Sequence, residues 1–254
     1  MTDGSGVDLT GAAAQAFAAR IRQAATQSLP APYIFFEEAI PRDLYARVQQ
    51  AYELASECFQ PQIHRGDPKI FYGSYRERLE LKVPDELEGL PPAAAATWTE
   101  LWDLMRSPVV LEAIADKFRE GLSRRYPEDA ASPGLLARFQ PSMLATKHQP
   151  NYYLGPHTDR HEKVITLILN CAEGAGLDDL GTAMYEPVQE GFTCRGVVHH
   201  DPSLFRKIGV APFRPNSVLL FLRDDRLFHG VERLTQDTLT GSERRNVQFN
   251  LWDR

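Results

Sequence analysis

Cysteine is scarce in this chain, with Cys58, Cys171 and Cys194 alone among 254 residues. Three scattered thiols, an odd number, exclude a disulfide framework and predict a reducing compartment. Long hydrophobic runs are also missing. No stretch approaches the ~20 apolar residues that a membrane span requires, and Met1–Gly11 is small and polar, without the apolar core of a secretion signal. The expected location is the cytoplasm, with no membrane partner. Positive charge is in deficit, at 28 Lys and Arg against 34 Asp and Glu, for a net charge of −6. That balance removes the broad basic face of a nucleic-acid binder.

Internal repeats and low-complexity linkers are absent too. What is present is ordinary for a globular domain, 43% hydrophobic and 24% charged. Residues 1–11 read as a disordered lead-in and 12–254 as one domain. Its first part, 12–130, is mainly helical. Helices are expected over Ala12–Gln27, Leu44–Leu54, Ala93–Met105 and Val109–Tyr126, from apolar residues at three- and four-residue spacing and from prolines at their ends. Tyr33–Phe36 and Arg78–Val83 read as strands, the second inside an irregular stretch from 58 to 92. From 131 onward the pattern turns to short β-type runs: Leu135–Phe139, Met143–His148, Val164–Leu169, Val218–Leu222, Leu227–Val231 and Val247–Trp252. Residues 171–212 are left as one long connection, a candidate lid. Helices followed by strands predict an α+β fold with the helices supporting one sheet of a β-sandwich. The oligomeric state is not legible.

The chemistry concentrates in the second part. His157-Thr158-Asp159 places an imidazole and a carboxylate two residues apart, on one face of an extended backbone. Seventy residues beyond the aspartate, counting 159 to 229, His229 ends an apolar strand-like run, and a hairpin after Val218–Leu222 would return it to the first motif. A lone His-x-Asp is common in surface turns. Two imidazoles and one carboxylate, each beside an apolar strand, form the ligand set of a facial Fe(II) site that leaves positions open for a cosubstrate and O2. Zinc accepts the same donors. Gly230 is expected to leave space for a ligand beside His229.

An arginine pair, Arg244 and Arg245, supplies a permanent charge suited to a carboxylate. Arg244, Asn246, Gln248 and Asn250 share one face of the last strand, which favours Arg244 and puts Asn246 beside it. A bulge after Gly241 would reverse the parity and favour Arg245. His199 and His200 read as exposed loop residues, with substrate contact the alternative. Arg138, Lys147, Arg160 and Lys163 are candidates for an anionic substrate but read mostly as solvated.

These residues resemble the Fe(II)/2-oxoglutarate-dependent dioxygenase superfamily, whose pattern is His-x-Asp, a distal His, then Arg or Lys. Pro32-Tyr33-Ile34 and the segments Tyr153–Asp159, Asn216–Gly230 and Gly241–Trp252 are similar to its prolyl-hydroxylase-like branch. The resemblance implies a double-stranded β-helix (jelly-roll) core, with iron on His157, Asp159 and His229. It implies 2-oxoglutarate held by Arg244 or Arg245, with Tyr153 or Tyr152 donating a hydroxyl, and hydroxylation coupled to release of succinate and CO2. The expected substrate is a small molecule such as an amino acid, sugar or biosynthetic intermediate. The alternatives are a peptidyl prolyl- or aspartyl-type hydroxylase and a non-catalytic metal- or sugar-binding jelly-roll protein.

Overall fold

A computed structural model describes residues 9–28, 30–61, 72–74, 76–128, 135–174, 176–196, 198–239 and 243–253. Residues 1–8 of the expected lead-in and the expected bulge after Gly241 lie outside these. Helix α1 (Leu9–Gln23) buries Ala14, Phe17, Ala18 and Ile21, one stripe at helical spacing. It ends at Gln23, short of the expected Gln27, because Thr26–Gln27 is strand β1, paired with β2 (Tyr33–Phe36). Helix α2 (Arg42–Leu54) buries Leu44, Val48, Ala51 and Tyr52. Helices α3 (Pro92–Met105) and α4 (Pro108–Lys117) each open on proline, whose fixed φ suits the first turn. The expected single helix to Tyr126 divides at Phe118, where φ −109° and ψ 21° leave the helical range, and α5 (Arg119–Arg125) follows.

Two antiparallel sheets stand beside the helices. The remaining strands are β3 (Gln60–Pro61), β4 (Gly73–Ser74), β5 (Arg78–Val83), β6 (Phe139–His148), β7 (Tyr153–His157), β8 (Lys163–Asn170), β9 (Thr182–Pro187), β10 (Phe205–Ala211), β11 (Ser217–Leu222), β12 (Phe228–Val231) and β13 (Arg244–Asp253). The large sheet runs β1-β2-β11-β8-β13-β6-β5-β3 and the small sheet β10-β9-β12-β7-β4. From β6 onward the chain passes repeatedly between them: β6, β8, β11 and β13 are in the large sheet, and β7, β9, β10 and β12 in the small one. A short helix, α6 (Gln236–Leu239), precedes β13.

Two expectations are corrected. The run Leu135–Phe139 is a 3-10 turn over Leu136–Arg138, with the strand starting at Phe139. Its buried residues, Leu135 and Phe139, are four apart, a turn spacing rather than an alternation. The connection 171–212 contains β9 and β10, so much of it is sheet. β10 is largely exposed and bulged between Lys207 and Gly209, which erases the period-two signal.

The main core lies between the helices and the outer face of the large sheet. Trp98 and Tyr52, fully buried, meet edge to face at 5.1 Å and pack with Val247, Phe249 and Leu251 of β13. Alternation along β13 therefore sends its apolar residues to the helices and Asn246, Gln248 and Asn250 to the space between the sheets. Among the described residues, no helix is long and apolar enough to cross a membrane.

Candidate metal and ligand site

His157 closes β7 and pairs in register with His229 on the neighbouring β12. The ladder is irregular between His229 and Val231, and Gly230 fills the gap. A Cβ on Gly230 would stand 2.3 Å from the Leu154 carbonyl oxygen. Gly230 lines the cavity, but the direction a side chain would take from it is occupied by β7, and the glycine is what lets the two strands approach. The turn before β12 crosses from the large sheet to the small one, instead of forming a hairpin with β11.

Asp159 lies just past the end of β7, and its Oδ1 accepts from Lys163 Nζ at 2.8 Å and its Oδ2 from Thr166 Oγ1 at 2.6 Å. Arg223, a buried residue the sequence did not single out, holds the backbone there, donating from Nε to the Asp159 carbonyl at 3.2 Å. The ring Nδ1 atoms of His157 and His229 face the carbonyls of Gly155 and Leu227 at 3.0 and 3.1 Å. A carbonyl can only accept, so each Nδ1 carries the hydrogen and each Nε2 presents a lone pair. One ligand atom from each of His157, Asp159 and His229 lies within 4.8 Å of the others.

Burial, then the neighbouring imidazoles of His229 and His199, push the His157 pKa well below its ordinary value; burial also lowers that of His229. For Asp159, burial pulls upward, but Lys163 and the two imidazoles outweigh it and hold the carboxyl below the usual carboxylate range. Neutral imidazoles and an ionised carboxylate are the protonation states that ligate metal.

The triad lines a cavity of about 570 Å3 between the sheets. Arg244 lines it as well, 2% exposed. Its Nε donates to the Leu180 carbonyl at 2.5 Å, its Nη1 to His148 Nδ1 at 3.1 Å, and its guanidinium lies 5.2 Å from the Phe213 ring centre. Among the described residues no carboxylate pairs with it, and burial brings its pKa down to about 10. Arg245 points the other way, to Glu53, Glu173 and Glu243 at 2.6, 2.5 and 3.3 Å.

Asn246 is buried in the cavity wall beside Arg244, its Oδ1 2.7 Å from Thr146 Oγ1. Tyr152 lines the cavity, whereas Tyr153 is outside its lining, under the Arg233 guanidinium at 4.0 Å. His199 is buried, not exposed, with its ring 4.4 Å from that of His157. His200 packs instead against Phe192, Phe205 and Phe228. Arg160 and Lys163 line the cavity; Lys147 is buried against Ser56 and Glu243, and Arg138 pairs with Asp253.

Fold and site together define a mixed helix-and-sheet protein with a two-histidine, one-carboxylate cluster between two antiparallel sheets. No family model and no curated protein matches the chain. Solved structures do. A prolyl hydroxylase from Trichoplax adhaerens, in complex with a peptide fragment of the hypoxia-inducible factor oxygen degradation domain, is 11% identical with a TM-score of 0.55. The match covers 98% of this chain and 94% of that one. A candidate oxygenase from Shewanella oneidensis is 11% identical with a TM-score of 0.52, over 95% and 86% of the two chains. A 2OG-Fe(II) oxygenase family oxidoreductase from Burkholderia pseudomallei is 10% identical with a TM-score of 0.47, over 94% and 89%. At these identities the likeness is one of fold.

Proposed function

We propose that this chain is an Fe(II)- and 2-oxoglutarate-dependent oxygenase that hydroxylates a small polar molecule. The observation that carries the reading is the convergence of His157, Asp159 and His229 on the wall of a cavity that also holds Arg244, a buried guanidinium with no carboxylate partner among the described residues. In this reading β6 to β13 make a double-stranded β-helix, which their alternation between the two sheets supports.

The donor set fits the metal. Two neutral imidazoles and a carboxylate on one side of an ion suit non-haem iron and leave its other positions to ligands. Bound iron with 2-oxoglutarate would supply the oxidation, consuming O2 and releasing succinate and CO2 as one oxygen atom enters a substrate C–H bond. The protein orients the participants. Thr166 and Lys163 fix both oxygens of Asp159, and the carbonyls of Gly155 and Leu227 fix the two rings. Arg244 would take the far carboxylate of 2-oxoglutarate, with Asn246 beside it. Arg245, satisfied by three glutamates on the opposite face, has no part in this reading.

The cavity wall supports a polar substrate, because Gln248, Asn250 and the Arg78–Glu80 pair line it alongside the site. A small metabolite is favoured over a peptide. The scarcity of cysteine favours a cytoplasmic setting. The test is succinate release from iron-loaded protein with panels of amino acids, sugars and short peptides, including proline-containing ones like the fragment bound by the Trichoplax structure. Stimulation by a small molecule supports the reading, and stimulation by peptides alone replaces it with a peptidyl hydroxylase. A protein that retains zinc tightly and gives no charge-transfer band with Fe(II) and 2-oxoglutarate under anaerobic conditions is a binding protein instead.

A further inference from the structure

His148 ends β6 in a cross-strand row with Arg78 of β5 and Arg244 of β13. It is 1% exposed and lines the cavity. An arginine can only donate, so the 3.1 Å contact from Arg244 Nη1 makes His148 Nδ1 an acceptor. The ring is therefore the neutral Nε2–H tautomer. That Nε2 is buried without a hydrogen-bond partner. A parallel stack on Tyr152, with centroids 4.0 Å apart and planes 22° apart, fixes the ring's orientation. Burial and the two guanidiniums oppose a second proton.

A buried donor left unmade costs free energy that a ligand acceptor recovers. With a guanidinium on either side in the row, the complementary acceptor is anionic. We propose that His148, set in one tautomer by Arg244, donates from Nε2 to the same ligand carboxylate that Arg244 binds, and so acts as a positioning residue for the cosubstrate's far end. This rests on the 2-oxoglutarate reading above. A carboxylate has lone pairs enough for both donors, and their fixed relation would select a carboxylate at that distance from the metal over a 2-oxo acid that lacks one.

The test is calorimetric titration of Mn(II)-loaded protein with 2-oxoglutarate and with 2-oxobutanoate, which keeps the metal-binding end and lacks the far carboxylate. His148→Phe keeps the stack on Tyr152 and removes both ring nitrogens. It is expected to weaken 2-oxoglutarate binding by about tenfold or more, the worth of one charge-assisted hydrogen bond, with 2-oxobutanoate binding unchanged. His148→Gln, whose Oε1 can accept from Arg244 while its Nε2 donates, is expected to restore most of the loss. Thermal unfolding of the metal-free His148→Phe protein should show only a modest loss of stability, because removal of the unpaired Nε2 donor offsets the cost of leaving Arg244 Nη1 without its acceptor. Equal weakening of both ligands, or no weakening with the variant folded, overturns the role of His148 and leaves the oxygenase reading standing. Wild-type protein that binds Mn(II) but not 2-oxoglutarate overturns both.

Discussion

The imidazoles of His157 and His229 face each other across β7 and β12, paired in register with ring centroids 4.4 Å apart. Each is aimed by a backbone carbonyl two residues before it in sequence, so the strand ladder itself sets the ligand geometry. His229→Ala and Asp159→Ala should each lower bound iron from stoichiometric to trace while the far-UV spectrum is retained. Thr166→Val, which removes one of the two hydrogen bonds to Asp159, should weaken metal binding by about 10- to 100-fold, the usual effect of losing a partner that orients a ligand. Metal content after dialysis and anaerobic titration measure both. Full iron retention in Asp159→Ala would remove the carboxylate from the ligand set.

Arg244 and Arg245 are neighbours in sequence with opposite surroundings, and their variants should separate accordingly. Arg244→Met should raise the KM for 2-oxoglutarate by about 30-fold or more, as expected when one partner of a buried, hydrogen-bonded charge pair is truncated. Arg245→Met should leave that KM within about threefold. Its loss is one of stability, roughly 1–3 kcal/mol, because Arg245 is itself buried among three glutamates, although Glu53 and Glu173 are exposed. A KM effect confined to Arg245→Met would reverse the assignment.

Gly230 offers a test of strand approach as distinct from ligand chemistry. The Leu154 carbonyl stands where a Cβ would go, so Gly230→Ala must push β12 away from β7. His229 moves with its strand. Metal affinity should therefore fall although no ligand atom has been removed, and hydrogen exchange should quicken in Leu154–His157. Unchanged metal affinity would mean that the two strands have slack the structure does not suggest.

The clustering of His157, Asp159 and His229 is legible in the sequence because a metal site would demand particular residue types at particular backbone positions, and His157 and Asp159 show that pattern as a two-residue spacing. The placement of Arg244 in the cavity wall is legible by the same logic, through the polar alternation of Asn246, Gln248 and Asn250. Strands β9 and β10 are not, since β9 is buried on both faces over Thr182–Tyr185 and β10 sits at the small sheet's edge with most of its side chains in water. An edge strand carries no hydrophobic alternation to read. His148 is equally silent. Its signal is a tautomer imposed by Arg244, 96 residues away, and it exists only once β6 and β13 are paired. Arg223 acts through a backbone carbonyl, which leaves no trace in residue type.

Acidification should destabilise the metal-free protein in two windows. His148, His157 and His229 are buried and their folded-state pKa values lie below the ordinary 6.5. Below pH 6.5 the unfolded chain therefore binds protons that the folded chain refuses. Stability is fully present above that pH and declines as pH falls, by up to about 1.4 kcal/mol per pH unit for each such histidine. Asp159 acts in the same direction at lower pH: its depressed folded pKa contributes stability above the ordinary 3.8, which is lost as pH falls further. Urea unfolding of metal-free protein at pH 8, 7, 6 and 5 should show a plateau followed by a steepening decline, and His148→Phe should shed one histidine's share of the slope. Bound metal should steepen the decline further, because protons compete for its ligands. Stability that stayed level from pH 7 to pH 5 would show that these imidazoles are open to protonation in the folded state, and the buried, neutral ligand set would be wrong.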